Sequence, residues 1–362
     1  MVSLALISLI LLASFLGNNN LSNSNSFGKS NFLNQNQKIG PNQSLNIFEK
    51  IDKETGYELT YGWRDYGGDG YSMTFSISKQ QLSDAEEEFG YYPEELEKYL
   101  EESFEKMREE MITYLEEFTR RQIDKSKYPQ YILIEKIDAK KFKLKISVPP
   151  ALYEEVKAES EIIKDKLAVE ENAYFKKIDR EQKKKEKAFL EKRGFQIIGD
   201  SIGVNYSRCV RNNRPRVKKV VESMKKMKKR MSLRQLLFLM SAFIQEIKYG
   251  IPPFIENNKI IAGFWVPPKV LANNFGDCDS KGVAFASMWT NFKRYPLILI
   301  KIPNHLFLGL AIPSIGRDEI TINGLSYTLC EVTGPDKIPP GLITNYSRFY
   351  LEGGRFRYEL IR

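Results

Sequence analysis

The chain has 362 residues, 42% of them hydrophobic and 28% charged, so it has room for two domains and most of it should fold. The net charge is +9, but Lys and Arg alternate with Asp and Glu over most of the sequence and no nucleic-acid-binding motif occurs, so we expect no nucleic acid partner. Three cysteines are too few for a disulfide framework or a four-ligand zinc site.

The first residues predict export. Residues 2–16 are apolar apart from three serines, which is typical of the hydrophobic part of a secretory signal or a signal anchor. No Lys or Arg precedes this run, no clear cleavage position follows it, and it is shorter than the about 20 residues that span a bilayer. We assign residues 1–17 to a signal peptide or signal anchor. We expect a periplasmic, extracellular or membrane-anchored protein, with cleavage left open and a mis-assigned start or a buried helix as the alternative.

An α+β N-terminal domain is predicted over residues 46–200, after a disordered Asn- and Ser-rich linker at 18–45. Its first part has the alternation and the Gly-rich turn of a β-hairpin. Long charged helices follow, with two strands between them. The predicted strands cover 57–61, 71–77, 131–137 and 141–148, and the predicted helices cover 83–125 and 152–192.

A third helix is predicted over 215–249, at the start of a second domain that spans 201–362. Its apolar positions keep helical spacing, while Lys and Arg occupy the other side. Such a basic face is typical of a solvated helix surface, and a contact with a membrane or an acidic partner is the alternative.

Cys278 is the first candidate for chemistry. It lies between Asp277 and Asp279, just before the apolar run 283–289, so we expect it at the N-terminus of a buried helix. Backbone N–H groups and the helix dipole at that end favour a thiolate. The two aspartates are expected to cap the helix and to fix the turn.

His305, the one histidine of the chain, and Glu331 follow Cys278 on strand-like segments. If these strands pair in an antiparallel fashion, the two side chains can share a face. A Cys-His-Glu set is sufficient for acyl transfer, because the thiolate attacks a carbonyl, the imidazole holds and returns the proton, and the carboxylate orients the ring. The N–H of Cys278 and the Gln245 side chain can stabilise the oxyanion. An equally weighted alternative is that the Gln245 side chain hydrogen-bonds the backbone of a loop.

The same residues resemble the transglutaminase-like cysteine peptidase superfamily in its bacterial exported branch. The resemblance covers about residues 232–341, where Lys269 stands at an often acidic position and Glu331 at one that is often Asp. The matching residues are Phe243, Gln245, Ile247 and Tyr249, then Pro267 and Leu271, then Gly276 to Lys281, His305, and Glu331 with Thr333 and Gly334.

This resemblance implies a papain-like core in which the Cys278 helix packs on an antiparallel sheet that carries His305 and Glu331. It implies amide or isopeptide hydrolysis or transamidation on protein or peptide substrates, without a metal or an organic cofactor. An inactive transglutaminase-like scaffold or binding protein of the cell envelope is the alternative. In an exported protein Cys209 and Cys330 can pair as a disulfide, which would leave Cys278 as the free thiol.

Overall fold

A computed structural model describes most of the chain, and the predicted signal segment and linker lie outside the described residues. Those residues are 47–138, 141–199, 201–227, 231–292, 295–334 and 336–361. No helix within them is long and apolar enough to cross a bilayer. They form two compact α+β units, which we call unit 1 (residues 92–190) and unit 2 (residues 47–91 and 191–361).

The helices, in chain order, are α1 (Lys79–Glu88), α2 (Pro93–Asp124), α3 (Tyr153–Lys192), α4 (Tyr206–Asn213), α5 (Lys218–Met227), α6 (Leu233–Glu246), α7 (Pro267–Asn273), α8 (Cys278–Trp289) and α9 (Asn345–Glu352). The strands are β1 (Ile47–Lys53), β2 (Gly56–Arg64), β3 (Gly70–Ser78), β4 (Ile132–Asp138), β5 (Lys141–Ile146), β6 (Phe195–Ile198), β7 (Ser201–Val204), β8 (Lys248–Tyr249), β9 (Ile255–Glu256), β10 (Lys259–Ile260), β11 (Phe275–Gly276), β12 (Leu297–Ile302), β13 (His305–Leu310), β14 (Glu319–Ile322), β15 (Leu325–Cys330) and β16 (Arg357–Ile361).

Unit 1 consists of α2, α3 and the antiparallel β4–β5 pair. Two apolar clusters hold it together, because both helices place apolar side chains on one stripe. One cluster contains Met111, Leu115 and Ile178, and the other contains Ile123, Ile132, Val156 and Ile163. The predicted strand pair and the helix predicted over 152–192 are confirmed.

The helix predicted over 83–125 is in fact two helices, α1 and α2. Gly90 has a φ of +84°, which interrupts a right-handed helix, and Pro93 begins α2. The capping box at the start of α1 is formed by Ser78 and Gln81, not by the predicted Ser83 and Glu86.

Strands β1, β2 and β3 form an antiparallel meander that belongs to unit 2, whereas the sequence-based boundary at residue 200 grouped them with the long helices. The reason lies in the inward-facing aromatic residues. Trp63 and Tyr61 each have a ring centroid 5.1 Å from that of Phe243 in α6. The Tyr61 hydroxyl also donates to the Leu271 carbonyl at 2.5 Å.

The central sheet of unit 2 is antiparallel and has the strand order β14-β15-β13-β12-β16. Helix α8 packs against β13 and is buried along its length. An apolar cluster of the sheet contains Phe307 and Leu329, and Tyr350 and Leu351 of α9 pack against it. The sheet therefore positions the starts of α8 and α9 near the His305 end of β13.

The prediction of one helix over 215–249 is wrong, because two helices, α5 and α6, occupy this range. Ser232 caps α6 and forms a capping box with Gln235, which starts a new helix inside the predicted one. Helix α6 ends at Glu246, and residues 248–249 form the short strand β8 parallel to β11.

Candidate active site

The N-terminus of α8 carries the predicted nucleophile. Asp277 is the N-cap, and its Oδ1 accepts a hydrogen bond from the Ser280 N–H at 2.9 Å, which confirms its predicted capping role. Cys278 is the first residue of the helix, as the sequence predicted. Its N–H therefore has no acceptor within the helix and can bind a carbonyl oxygen.

The Cys278 thiol lies between a carboxylate and a strand backbone. Its Sγ is 3.4 Å from Oδ1 of Asp279, which accepts the S–H. The backbone N–H of Leu306, the residue after His305, also points at the sulfur. Among the described residues Sγ makes no hydrogen bond to the His305 ring. The sulfur thus lies beside the strand of the predicted base, but Asp279 holds it.

This environment corrects the expectation of a resting thiolate. Burial raises the pKa of the Cys278 thiol well above its usual range, and the negative charges of Asp279 and Asp277 raise it further. The side chain is 8% exposed. The helix dipole does not outweigh these effects, so the resting group is a protonated thiol.

Tyr206 is a site residue that the sequence analysis missed. This buried residue begins α4, and its hydroxyl donates a hydrogen bond to Oδ2 of Asp279. Asp279 therefore accepts one hydrogen bond from a phenol and one from the thiol, rather than capping the helix. Nothing in the local sequence of Tyr206 signals this contact, since 73 positions separate the two residues.

His305 and Glu331 meet as predicted. Strands β13 and β15 are antiparallel neighbours, and Nε2 of His305 lies 2.6 Å from Oε2 of Glu331. Glu331 directly follows β15 and is 3% exposed. With Nε2 bound to the carboxylate, Nδ1 is the ring nitrogen that remains for a substrate or a thiol.

The start of α9 fixes the second oxygen of Glu331. Ser347, fully buried, donates from Oγ to Oε1 at 2.6 Å. The N–H and the hydroxyl of Thr344, the N-cap of α9, lie 3.4 Å from the same oxygen. Neither residue was predicted as part of the site, although Thr344 is of a residue type that is favoured at helix N-caps.

Gln245 supports the site through the backbone. Its Nε2 donates to the carbonyl of Glu331 at 2.6 Å and to that of Ile338 at 2.8 Å, while Oε1 accepts from the Tyr66 hydroxyl at 3.0 Å. Because both amide hydrogens are engaged, the structure favours the loop-bonding alternative over an oxyanion role.

Lys281 ties three elements together inside unit 2. The side chain is fully buried, and Nζ donates to the carbonyl of Ile247 at 2.6 Å and to that of Thr333. Burial lowers the pKa of Lys281 to about 7, although Glu246 and Asp277 oppose that effect. The ammonium group links the start of α8 to the end of α6 and to the segment after β15.

A glycine allows α8 to approach β13 closely. Gly282 lies one turn after Cys278, and a Cβ at this position would be 2.5 Å from Cδ2 of Leu306. The absence of a side chain lets the sulfur reach the strand that carries His305.

The other two cysteines are free thiols, so the structure does not contain the disulfide that an exported protein allowed between Cys209 and Cys330. Both are buried, and burial raises the pKa of each, that of Cys330 to about 12. Cys330 lies 3.2 Å from the Ser241 hydroxyl, away from the His305 pair.

One group of side chains has the atom types of a metal site. The ligand atoms of Asp277, Cys278 and Asp279 lie within 4.8 Å of one another. The first carboxylate caps a helix and the second binds Tyr206, and the positive end of a helix dipole opposes a cation. This set therefore fits a nucleophile with its supporting groups better than a metal centre.

The structure thus brings His305, Glu331 and the backbone held by Gln245 together, and it places Cys278 beside the same strand with its S–H directed to Asp279. Comparisons of the chain with protein-family models, with curated proteins and with solved structures found no match.

Proposed function

We propose that the protein is a cysteine-dependent acyl-transfer enzyme, an amide or isopeptide hydrolase or a transamidase, with a transglutaminase-like core. One observation carries the proposal. His305 and Glu331 form a 2.6 Å pair at the start of the strand against which the Cys278 helix packs. A buried carboxylate on a histidine, next to a cysteine at a helix N-terminus, is the arrangement that nucleophilic catalysis needs.

In this reaction Cys278 forms a bond from Sγ to the carbonyl carbon of the substrate, and the thiol proton passes to Nδ1 of His305. The imidazolium then protonates the leaving nitrogen as the C–N bond breaks. Water or an amine next attacks the thioester and gives its proton to Nδ1 of His305, which returns that proton to Sγ as the C–S bond breaks. Glu331 stabilises the charged ring throughout, and the Cys278 N–H binds the oxyanion.

The resting hydrogen bond of the thiol defines the first step. The Cys278 S–H points at Asp279, so Sγ has to turn from that carboxylate toward His305 before attack. A protonated resting thiol means that proton transfer accompanies attack, instead of a preformed thiolate–imidazolium pair.

A peptide or protein is the proposed substrate, at the cell envelope. Tyr249 lies opposite Gly276 in the β8–β11 pair and is 49% exposed. Burial raises the pKa of Tyr249, and the nearby charges of Asp277 and Asp279 raise it further. Its ring offers an apolar contact to a substrate chain beside the sulfur. The location rests on the apolar residues 2–16.

The test uses an electrophilic peptide probe that alkylates cysteine only after binding, with mass spectrometry to locate the label. We expect label on Cys278, and a loss of about 10²-fold or more in labelling rate in His305→Ala. Cys209 and Cys330 are internal controls, because both are buried thiols without a histidine. Equal rates in the wild type and His305→Ala would exclude the proposed base.

The second candidate is a non-enzymatic scaffold of the same core. The low exposure of Cys278 and its hydrogen bond to Asp279 favour it, since both keep the thiol protonated. This function predicts that Cys278→Ala complements a deletion strain as fully as the wild type, whereas the enzymatic proposal predicts no complementation.

A further inference from the structure

The positive charge of the chain is concentrated in one segment. Residues 208–234 contain twelve Lys and Arg and a single acidic residue, Glu222, so their net charge of +11 exceeds the +9 of the whole chain. The remaining residues together are slightly acidic. A charge excess confined to 27 residues is a local feature, and general solubility does not account for it.

Helices α4 and α5 of unit 2 present this charge on their outer side. Helix α5 buries Val220, Val221 and Met224. Four exposed lysines occupy the opposite stripe at spacings of one and seven residues, which places them on one face. They are Lys218, Lys219, Lys225 and Lys226.

Among the described residues of this segment, most of the cations have no acidic partner. Arg216 is paired with Glu88 at 2.5 Å, and Lys218 lies 3.5 Å from Glu222. Within the described part of the chain, the remaining exposed basic side chains of the segment form no ion pair. Lys219 bonds the Ser76 hydroxyl at 3.1 Å, and Lys225 lies 4.6 Å from the centre of the Phe292 ring.

The basic stripe lies at the end of α8 that is remote from Cys278. Phe292 follows that helix, and Asn291 donates to the Arg214 carbonyl at 3.0 Å. Cys278 begins the same helix, and its eleven further residues place the sulfur about 17 Å from that end. A contact made through the stripe therefore leaves the thiol end free.

We infer that the exposed lysine stripe of α5, with the other exposed basic side chains that the structure describes between residues 208 and 234, docks unit 2 on an anionic phospholipid surface. A one-sided stripe of compact ammonium groups matches a plane of phosphate headgroups. Because the apolar side of α5 is buried in the protein, the contact is electrostatic and shallow and does not insert the helix.

The composition of the segment favours a lipid surface over a nucleic acid. Residues 208–234 contain no Phe, Tyr or Trp, so they offer no ring on which a base can stack.

The experiment is sedimentation of the full chain with vesicles of phosphatidylcholine alone or with phosphatidylglycerol added. The first vesicle measures any contribution of the apolar run, and the difference between the two measures the charge contribution. We expect binding at least tenfold tighter to the anionic vesicles at 0.1 M salt, and its loss at 0.5 M salt. Substitution of the four lysines by Gln should remove at least about tenfold of that affinity.

A matched control exists in α3 of unit 1. Lys176, Lys177, Lys183 and Lys184 have the same relative spacing, but Asp179 and Glu181 form ion pairs with two of them. The corresponding four Gln substitutions there should leave vesicle binding unchanged. Equal binding to both vesicles, an equal loss in the control variant, or tighter binding to a short DNA duplex at the same salt would each overturn the inference.

Discussion

Asp279 holds the thiol proton of the candidate nucleophile, since its Oδ1 accepts the Cys278 S–H, and its Oδ2 accepts the Tyr206 hydroxyl. The groups that interact electrostatically with this thiol are the N-cap Asp277, Asp279 and Lys281 of α8, Tyr206 of α4 and Tyr249 of β8. The nearest charge to the sulfur is therefore negative.

The substitution Asp279→Asn should lower the pKa of the Cys278 thiol, because it removes that negative charge and keeps an oxygen for the Tyr206 hydroxyl. The thiolate fraction at a given pH then rises, and iodoacetamide should alkylate Cys278 faster between pH 6 and 8. A tenfold faster rate at pH 7 corresponds to a decrease of about one pKa unit. The measurement is the pH profile of alkylation, site by site, by mass spectrometry.

Asp277→Asn is the control for charge alone, because Asn also caps helices and Asp277 does not touch the sulfur. Its effect on alkylation should be the smaller of the two. An equal or larger acceleration in Asp277→Asn would show that the Asp279 hydrogen bond has no special part in holding the thiol proton.

Ser347→Ala should slow the peptide probe while leaving the fold intact. Ser347 donates to Oε1 of Glu331 at 2.6 Å, and a hydrogen bond to a charged group contributes about 1.5–3 kcal/mol. Without it the carboxylate orients His305 less firmly, and we expect labelling of Cys278 about ten times slower. Ser287→Ala is the matched control, since that buried hydroxyl bonds only the Val283 carbonyl of its own helix. A similar loss in both variants would indicate a general effect of buried serines.

At the residue scale, sequence patterns were sufficient where a signal is local. The positions of Cys278 and Asp277 followed from a cap and an apolar run, and the pairing of His305 with Glu331 followed from antiparallel strands. Tyr206 was not predictable, because its contact with Asp279 depends on how α4 packs on α8. The thiol pKa was mispredicted for the same reason, since burial and neighbouring charge are tertiary properties.

At the element scale, the segment after β15 has to approach the end of α6 closely. Gly334 has a φ of +68°, and a Cβ there would lie 2.6 Å from the Gln245 carbonyl oxygen. Gly324, at the β14–β15 turn, has a φ of +77°, but its Cβ would meet nothing within 4 Å. The two glycines share a left-handed backbone conformation and differ in the steric contact that a Cβ would make.

Gly324→Ala should therefore lower the free energy of unfolding by about 1–2 kcal/mol, the cost of a left-handed backbone in an ordinary residue. Gly334→Ala should lower it by a further 1–3 kcal/mol, approximately, because the new Cβ pushes the Glu331 segment from α6. Urea denaturation midpoints measure both. Equal losses would mean that this segment moves freely and does not hold Glu331 in place.

Element types were predicted better than element ends. Gly90 and Ser232 each divide a predicted helix, because a left-handed glycine and a capping box act against apolar periodicity that continues across them. The grouping of β1–β3 with unit 2 was not predictable either, since it depends on the contact of Trp63 with Phe243, which lies 180 positions away.

At the scale of the whole molecule, the buried Lys281 couples the site to the stability of the fold. Its folded pKa is about 7, whereas an unfolded lysine has a pKa of about 10.4. Between these values the unfolded chain binds a proton that the folded chain has released. Stability contributed by this group therefore rises with pH above 7 and is lost as the pH falls toward 7.

The prediction is a difference between the wild type and Lys281→Met in the pH dependence of unfolding. From pH 7 to 8.5 the wild type should gain stability relative to Lys281→Met. The free energy of unfolding should rise by at most about 1.36 kcal/mol per pH unit, which is the slope for a difference of one bound proton. All other groups titrate in both proteins and cancel, including the buried thiols, whose raised pKa values reduce stability only at higher pH. Urea unfolding at half-unit pH steps measures the difference. A flat difference curve would mean that Lys281 keeps its proton in the fold, so that the two carbonyls hold a charged ammonium at all these pH values.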